Sequence, residues 1–368
     1  MDETDIFNDM RLDDVAQTER HGRAAGLNMA SRFDRQSKHR VADGWHIEEP
    51  EKIKTRVDID SSRTVLARNN SPDVPFDRSI NPYRGCEHGC IYCFARPTHA
   101  QLGFSPGLDF ETRLLAKPNA PELLAQTLRK PGYSVAPIAI GTNTDPYQPV
   151  EKQWRIMRGI LDVLWDHRHP VTITTKGSLI TRDIDILSKL ACEKLIRVTI
   201  SLTTLNGRLS RAMEPRAAAP GRRIAMVKEL SKAGIPTTIG IAPVVPGLTD
   251  HELERLIAAG AEAGADYASY IALRLPLEVA PLFRDWLARE YPERAAKVMG
   301  RVRELHGGKD YDSTWHKRLS GEGVHASLLK RRFTVMRKRF GLDKERGSLR
   351  CDLFRVPPRA GDQLILGI

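Results

Sequence analysis

Three cysteines, Cys86, Cys90 and Cys93, fall within the eight-residue run Cys86-Glu87-His88-Gly89-Cys90-Ile91-Tyr92-Cys93. A C-x3-C-x2-C spacing this tight folds one short loop around one metal centre, whereas a disulfide framework spreads its cysteines along the chain. Thiolates select soft metals, so the choice lies between zinc and an iron–sulfur cluster. A structural zinc site needs four protein ligands. The remaining cysteines, Cys192 and Cys351, stand alone and far away, so His88 or His99 would have to complete it. Three thiolates on a four-iron cluster would instead leave one iron free for a small molecule.

The flanking residues carry a family resemblance. With Tyr92 directly before the third cysteine, Asn81-Pro82-Tyr83-Arg84-Gly85 before the first and Phe94-Ala95-Arg96 after the last, the loop resembles that of the radical S-adenosylmethionine (SAM) superfamily. It is similar to the branch that includes spore photoproduct lyase and DNA repair photolyase-like proteins, over roughly Ser79 to Leu275. The resemblance implies a [4Fe-4S] cluster on Cys86, Cys90 and Cys93, with S-adenosyl-L-methionine as cosubstrate. It implies reductive cleavage of SAM to a 5′-deoxyadenosyl radical that takes hydrogen from a substrate, and an external electron donor such as a flavodoxin or ferredoxin. The substrate, and lyase or transferase outcome, do not travel with it. In spore photoproduct lyase a cysteine close behind the cluster loop donates hydrogen. Here no cysteine lies between Cys93 and Cys192, which leaves Cys351 as the candidate donor and argues against spore-photoproduct repair itself.

The loop needs a scaffold, and alternating patterns supply one. Val135 to Gly141, Val171 to Thr175, Arg197 to Leu202, Thr237 to Ala242 and Tyr267 to Leu273 read as strands. Helical stretches separate them: Glu151 to Arg168, with Trp154, Met157, Leu161, Leu164 and Trp165 on one face, then Thr181 to Cys192 and Pro220 to Ala233. Asn119 with Glu122, and Thr249 with Glu252, are read as helix caps. Pro75 to Asn81 makes a sixth strand ahead of the cysteines. Repeated βα units build a parallel sheet, open or curved. The resemblance implies an α/β fold, a partial (β/α)6 barrel with the cluster loop after its first strand. The expected organisation is an N-terminal extension over 1–75, the core over 76–280 and a basic, mainly helical region over 281–368.

In such sheets chemistry sits at the C-terminal ends of strands. Asp145 and Glu151, in the run Thr144-Asp145-Pro146-Tyr147-Gln148-Pro149-Val150-Glu151, are candidates to hold the amine or ribose of SAM. A turn-stabilising Asp145 and a capping Glu151 are the alternatives. Lys176 follows a β-branched strand and is expected, from the resemblance, to meet the SAM carboxylate. Ser201 is a candidate donor to the same ligand, and Arg216 a fork-shaped carboxylate contact unless it pairs with Glu214. Tyr92 is expected near the adenine. Cys192, in an apolar helix, is expected to be a buried structural thiol.

The sequence has 368 residues, 41% hydrophobic and 28% charged, the profile of a soluble globular protein. No run is long and apolar enough to span a membrane, and the acidic N-terminus lacks a signal-peptide pattern, so a cytoplasmic location is expected. Phosphate-binding glycine loops and H-E-x-x-H are both absent, which argues against nucleotide triphosphatases and zinc proteases. The formal net charge is +11, and 281–368 supplies +9 of it, from 20 basic minus 11 acidic residues. In His325 to Phe340 the apolar Leu328, Leu329, Phe333, Met336 and Phe340 interleave with six cations. That face could bind a nucleic acid backbone or be merely solvated. Three functions therefore remain: a radical SAM enzyme on an unidentified substrate, one acting on nucleic acid, or a non-catalytic zinc or iron–sulfur module.

Overall fold

The computed structural model describes residues 22–29, 32–33 and 53–358. The first dozen residues, expected to be mobile, and most of the expected N-terminal loops lie outside them. Ten strands are present among the described residues: β1 (Arg56–Ile59), β2 (Leu66–Arg68), β3 (Arg78–Ile80), β4 (Tyr83–Arg84), β5 (Arg113–Ala116), β6 (Ile138–Ile140), β7 (Val171–Thr175), β8 (Ile196–Ser201), β9 (Thr237–Val244) and β10 (Tyr267–Ala272). The main sheet has the order β10-β9-β8-β7-β6-β3-β2. Its six strands β3 and β6 to β10 are parallel, and β2 runs antiparallel along one edge. The two edges do not pair, so this is the partial (β/α)6 architecture. β1, β5 and β4 form a small separate sheet beside it.

Alternation along the strands decides which face meets the helices. Val171, Ile173, Val198 and Ile200 are fully buried and share the main core with Leu161, Leu164, Leu187, Leu190, Met226 and Leu230 of the surrounding helices. The opposite, concave face carries polar side chains in register, Thr172 beside Arg197 and Thr174 beside Thr199. Thr174 is solvent-exposed in mid-sheet, so the concavity is open and wet.

Several helix expectations need correction. Asn119 precedes the helix Ala120–Leu128 but makes no side-chain cap. Thr249 instead accepts the Val245 N–H at 2.8 Å, and Glu252 accepts from Thr204 and Leu205, tying the β8 end to this turn. The stretch expected as one helix over 151–168 is broken at Arg155, whose φ is +51°. Met157, Leu161 and Leu164 are buried on one face as the spacing predicts.

The helix Gly323–Arg339 begins where Ala326 meets Ala272 at the end of β10. It runs back beside that strand, with Phe333 4.7 Å from the Tyr270 ring. Leu329 and Phe333 are buried, but Leu328, expected on the same face, is 51% exposed. Two segments then link parts of the sheet. The loop after Leu305 bridges its edges: the Leu319 carbonyl accepts the Ala272 N–H at 2.9 Å, while Arg318 pairs with Asp73 in the β2–β3 connection. The tail after the helix crosses the N-terminal ends of the strands. Arg346 lies 4.8 Å over the Tyr267 ring, and the Arg350 and Arg355 N–H groups donate to the carbonyls of Lys194 and His167. Arg129 donates to the Pro357 carbonyl.

Candidate active site

The cysteine loop sits between β4 and β5, at the mouth of the concavity, and buried polar contacts fix its backbone. Gly85 and Gly89 turn it, with φ of +75° and +66°. A Cβ on Gly85 would fall 2.6 Å from the Leu114 side chain, and one on Gly89 would fall 2.8 Å from Glu111 Oε2. Only glycine fits either position. Arg96, wholly buried, donates to the carbonyls of Gly89 and Cys90 at 3.0 Å each, to those of Pro106 and Gly107, and to Glu111. Gln148 receives the Glu87 N–H at 2.8 Å and donates to the Gly85 carbonyl. The Met213 carbonyl accepts the Ile91 N–H, so the loop after β8 docks here too.

Cys86 and Cys90 are buried and Cys93 is half-buried; none is in a disulfide. Burial raises all three thiols, Cys90 to about 12, and their mutual proximity raises Cys86 and Cys90 further. The backbone N–H groups of Asp145 and Ala95 point at the Cys86 and Cys93 sulfurs. Buried thiols of this kind are inert as acids and ionise when a metal replaces the proton. N–H donors to sulfur are one of the levers that set a cluster's potential. Three such sulfurs fit an iron–sulfur cluster.

They do not fit a lone zinc. Among the described residues, no three His, Cys, Asp or Glu side chains converge closely enough to hold a single ion. His99 Nε2 lies 2.8 Å from the Arg113 carbonyl, and burial holds that ring neutral, with a pKa of about 4. His88 Nδ1 faces Asp145 Oδ2 at 3.3 Å. Among the described residues, Nδ1 of each ring has no hydrogen-bond partner, but neither histidine joins the cysteines in a group that could hold one ion.

The strand-end candidates separate into those that face the mouth and those that support it. Lys176 faces it: Nζ lies 5.8 Å from the Tyr92 ring centroid and, among the described residues, no carboxylate pairs with it. Asp145 supports it. Its oxygens accept from Thr175 Oγ1 and the Lys176 N–H at 2.6 Å each and from the Tyr147 N–H at 2.9 Å. Burial alone would raise this carboxyl, yet His88, Thr175 and that N–H together hold it at about 2. Its oxygens are thus engaged in fixing the Lys176 backbone and the following turn.

Glu151 also faces inward rather than into the mouth. It is wholly buried and accepts from Tyr83 Oη, the Ile156 and Met157 N–H groups and Arg182. Ser201 donates its hydroxyl to the Ala242 carbonyl at 3.1 Å. Arg216 pairs at 3.0 Å with Glu87, not Glu214, and clamps the cysteine loop from outside.

Tyr92 donates to Glu214, and Thr203 donates to the same carboxylate at 2.7 Å. Glu214 also pairs with Arg223, both side chains at most 1% exposed. Burial would raise Glu214, but Arg223 and Lys176 hold it at about 2. The Tyr92 ring is thereby fixed beside Lys176. Sequence reasoning missed Arg96, Glu111, Gln148, Thr203 and Arg223; nothing in their spacing marks them. Cys192 is exposed, contrary to expectation. Cys351 lies on the tail next to Arg350, which bonds to Lys194 at the opposite end of the strands from the cysteine loop. That position removes it as hydrogen donor.

A family model described as the Radical SAM superfamily matches residues 80–259, and the chain belongs to that superfamily. An uncharacterized protein of Mycobacterium tuberculosis is 36% identical over 265 residues, 72% of this chain and 77% of its own. One from Methanocaldococcus jannaschii is 29% identical over 214 residues, 58% of this chain and 76% of its own. Among solved structures, spore photoproduct lyase complexed with dinucleoside spore photoproduct superposes with a TM-score of 0.55 at 13% identity, covering 77% of this chain and 78% of that one. At that identity the likeness is one of fold.

Proposed function

We propose that this protein is an enzyme that binds a [4Fe-4S] cluster through Cys86, Cys90 and Cys93 and cleaves SAM reductively to abstract a hydrogen atom from its substrate. When bound, such a cluster supplies one electron to the SAM sulfonium, giving methionine and a 5′-deoxyadenosyl radical that becomes 5′-deoxyadenosine on taking the hydrogen. The observation that carries this reading is the set of three free thiols on one short loop, two buried and one half-buried, two of them with N–H donors at sulfur. Lys176 is positioned to meet the SAM carboxylate, with Asp145 holding its backbone. Tyr92, fixed by Glu214, offers a flat face to the adenine. The polar concave face gives the substrate a wet cavity rather than an apolar one.

Anaerobic incubation with dithionite and SAM tests it. Wild type should form 5′-deoxyadenosine and Cys90→Ala should not; absence of product from iron-loaded wild type would end the proposal. A nucleic-acid substrate is the second reading, favoured by the fold shared with a lyase solved with a dinucleoside photoproduct. The basic region gives it less support than the sequence promised. Among the described residues, its cations without a carboxylate pair are scattered, from Arg294 and Lys297 on one helix to Lys330, Arg331, Arg337, Lys338 and Arg339 on the helix Gly323–Arg339 and Arg346 beyond it. That helix spans about 25 Å. Filter binding of single-stranded DNA across a salt series separates the two readings, with retention falling steeply as salt rises expected for the second.

A further inference from the structure

Arg274 follows β10 by two residues and so stands at the mouth, where no motif had drawn attention to it. Its guanidinium lies 4.2 Å over the ring of Phe94, the residue directly after Cys93, and it meets the Tyr311 hydroxyl. Phe94 itself is 40% exposed. Among the described residues, no carboxylate pairs with Arg274. The buried Arg96 and Arg223 and the partly buried Arg182, by contrast, each reach a carboxylate. Desolvation disfavours the Arg274 charge and Arg318 repels it, while the Tyr311 hydroxyl and the Cys93 sulfur favour it. Among the described residues no carboxylate completes that compensation, so an arriving oxyanion would stabilise the cation.

SAM is not that anion. It carries one carboxylate against an ammonium and a sulfonium, and Lys176 already stands ready for the carboxylate. Lys176 follows β7 and Arg274 follows β10, three strands on, and they stand over two different rings of the cysteine loop, Tyr92 and Phe94. A second cation on the same loop would be repelled by the ammonium and sulfonium of bound SAM rather than satisfied by it. The planar fork of Arg274, braced on Phe94, matches an oxyanion bidentately.

We propose that Arg274 is the receptor for an oxyanion of the substrate, a carboxylate or a phosphate group, which it holds at the Phe94 side of the cluster cysteines. This rests on the radical SAM reading and adds the chemical class of the substrate: a molecule bearing a negative group within reach of the hydrogen to be removed. Lys176 then fixes the cosubstrate and Arg274 the substrate, each by one charge.

The test is thermal stabilisation of the full-length, cluster-reconstituted protein with saturating SAM, titrated separately with inorganic phosphate and with acetate. Whichever oxyanion the site takes should raise Tm, and the response to the two identifies the group. Arg274→Gln should weaken the apparent affinity at least ~10-fold, and Arg274→Lys, which keeps the charge without the fork, about 3-fold. Arg346→Gln, at the far end of the strands, should leave the response unchanged. Three results would overturn the proposal. They are no stabilisation of wild type by either ion, a response lost in Arg346→Gln but kept in Arg274→Gln, and an Arg274→Gln change confined to the cluster's visible spectrum. Should Arg274→Gln not fold, Arg274→Lys alone decides. Formation of 5′-deoxyadenosine by wild type is read separately, so failure of the oxyanion site and failure of the radical reading are told apart.

Discussion

Arg96 and Glu111 meet at 2.6 Å beneath the cysteine loop, and neither side chain is exposed. Glu111 also accepts the Ala25 N–H at 3.1 Å, and Arg23 donates to its carbonyl, so the N-terminal segment is tied to the same point. Removing one partner of a buried pair costs about 3–5 kcal/mol because the other charge is stranded. Arg96→Gln should therefore lower Tm and also iron content per chain after anaerobic reconstitution. A variant with reduced Tm but full iron would show that the pair serves the fold and not the loop.

Gly89→Ala should cost iron occupancy out of proportion to its size. The added methyl meets Glu111 Oε2 at 2.8 Å on a residue whose φ is +66°. The backbone conformation alone costs about 1 kcal/mol for a non-glycine residue. Gly132→Ala, at φ +76° with nothing near its Cβ, is the control for backbone strain without the clash. Iron and sulfide analysis of both variants checks this.

Lys176→Ala should raise the Kd for SAM at least ~10-fold while leaving iron content intact, since a charge-assisted contact is lost and no cysteine is touched. Equilibrium dialysis with labelled SAM measures it. Asp145→Asn should act in the same direction but more weakly, because it frees the Lys176 backbone without removing the ammonium.

Acid should destabilise the fold through His169, at the N-terminal ends of the strands. Burial holds this ring neutral, with a pKa of about 4 against an ordinary 6.5, with the Pro170 carbonyl, Tyr133, His167 and Arg78 around it. Above pH 6.5 the ring is neutral in both folded and unfolded chains and contributes no slope. Between pH 6.5 and 4 the unfolded chain binds the extra proton, so stability falls with pH, by at most about 3 kcal/mol from this one group. Urea unfolding of wild type and His169→Gln at pH 7 and pH 4.5 should show the variant losing less.

The sequence exposed its scaffold where the pattern is local. β7 has the bounds its β-branched run announces, and Met157, Leu161 and Leu164 bury together as their spacing requires. The helix break at Arg155 was invisible because its cause is remote. Glu151 turns inward to receive the Ile156 and Met157 N–H groups, held there by Tyr83 and Arg182. Asp145 and Glu151 stood out by type and position, but a sequence cannot tell a carboxylate that faces a ligand from one that faces the backbone. Arg274 shows the converse. It is one arginine among many until its place at the mouth, over the Phe94 ring and, among the described residues, with no carboxylate pair, is seen, and that placement is a three-dimensional property.

The tail that crosses the strand ends has a consequence for how the molecule is made. Its contacts at Tyr267, Lys194, His167 and Arg129 touch segments before four different strands. A ribosome synthesises all six parallel strands before this covering segment exists, so the nascent sheet stands uncapped at that end until translation has passed Pro357. Until then the Tyr133, His167 and His169 rings lack the Phe354 ring that packs against all three in the finished fold.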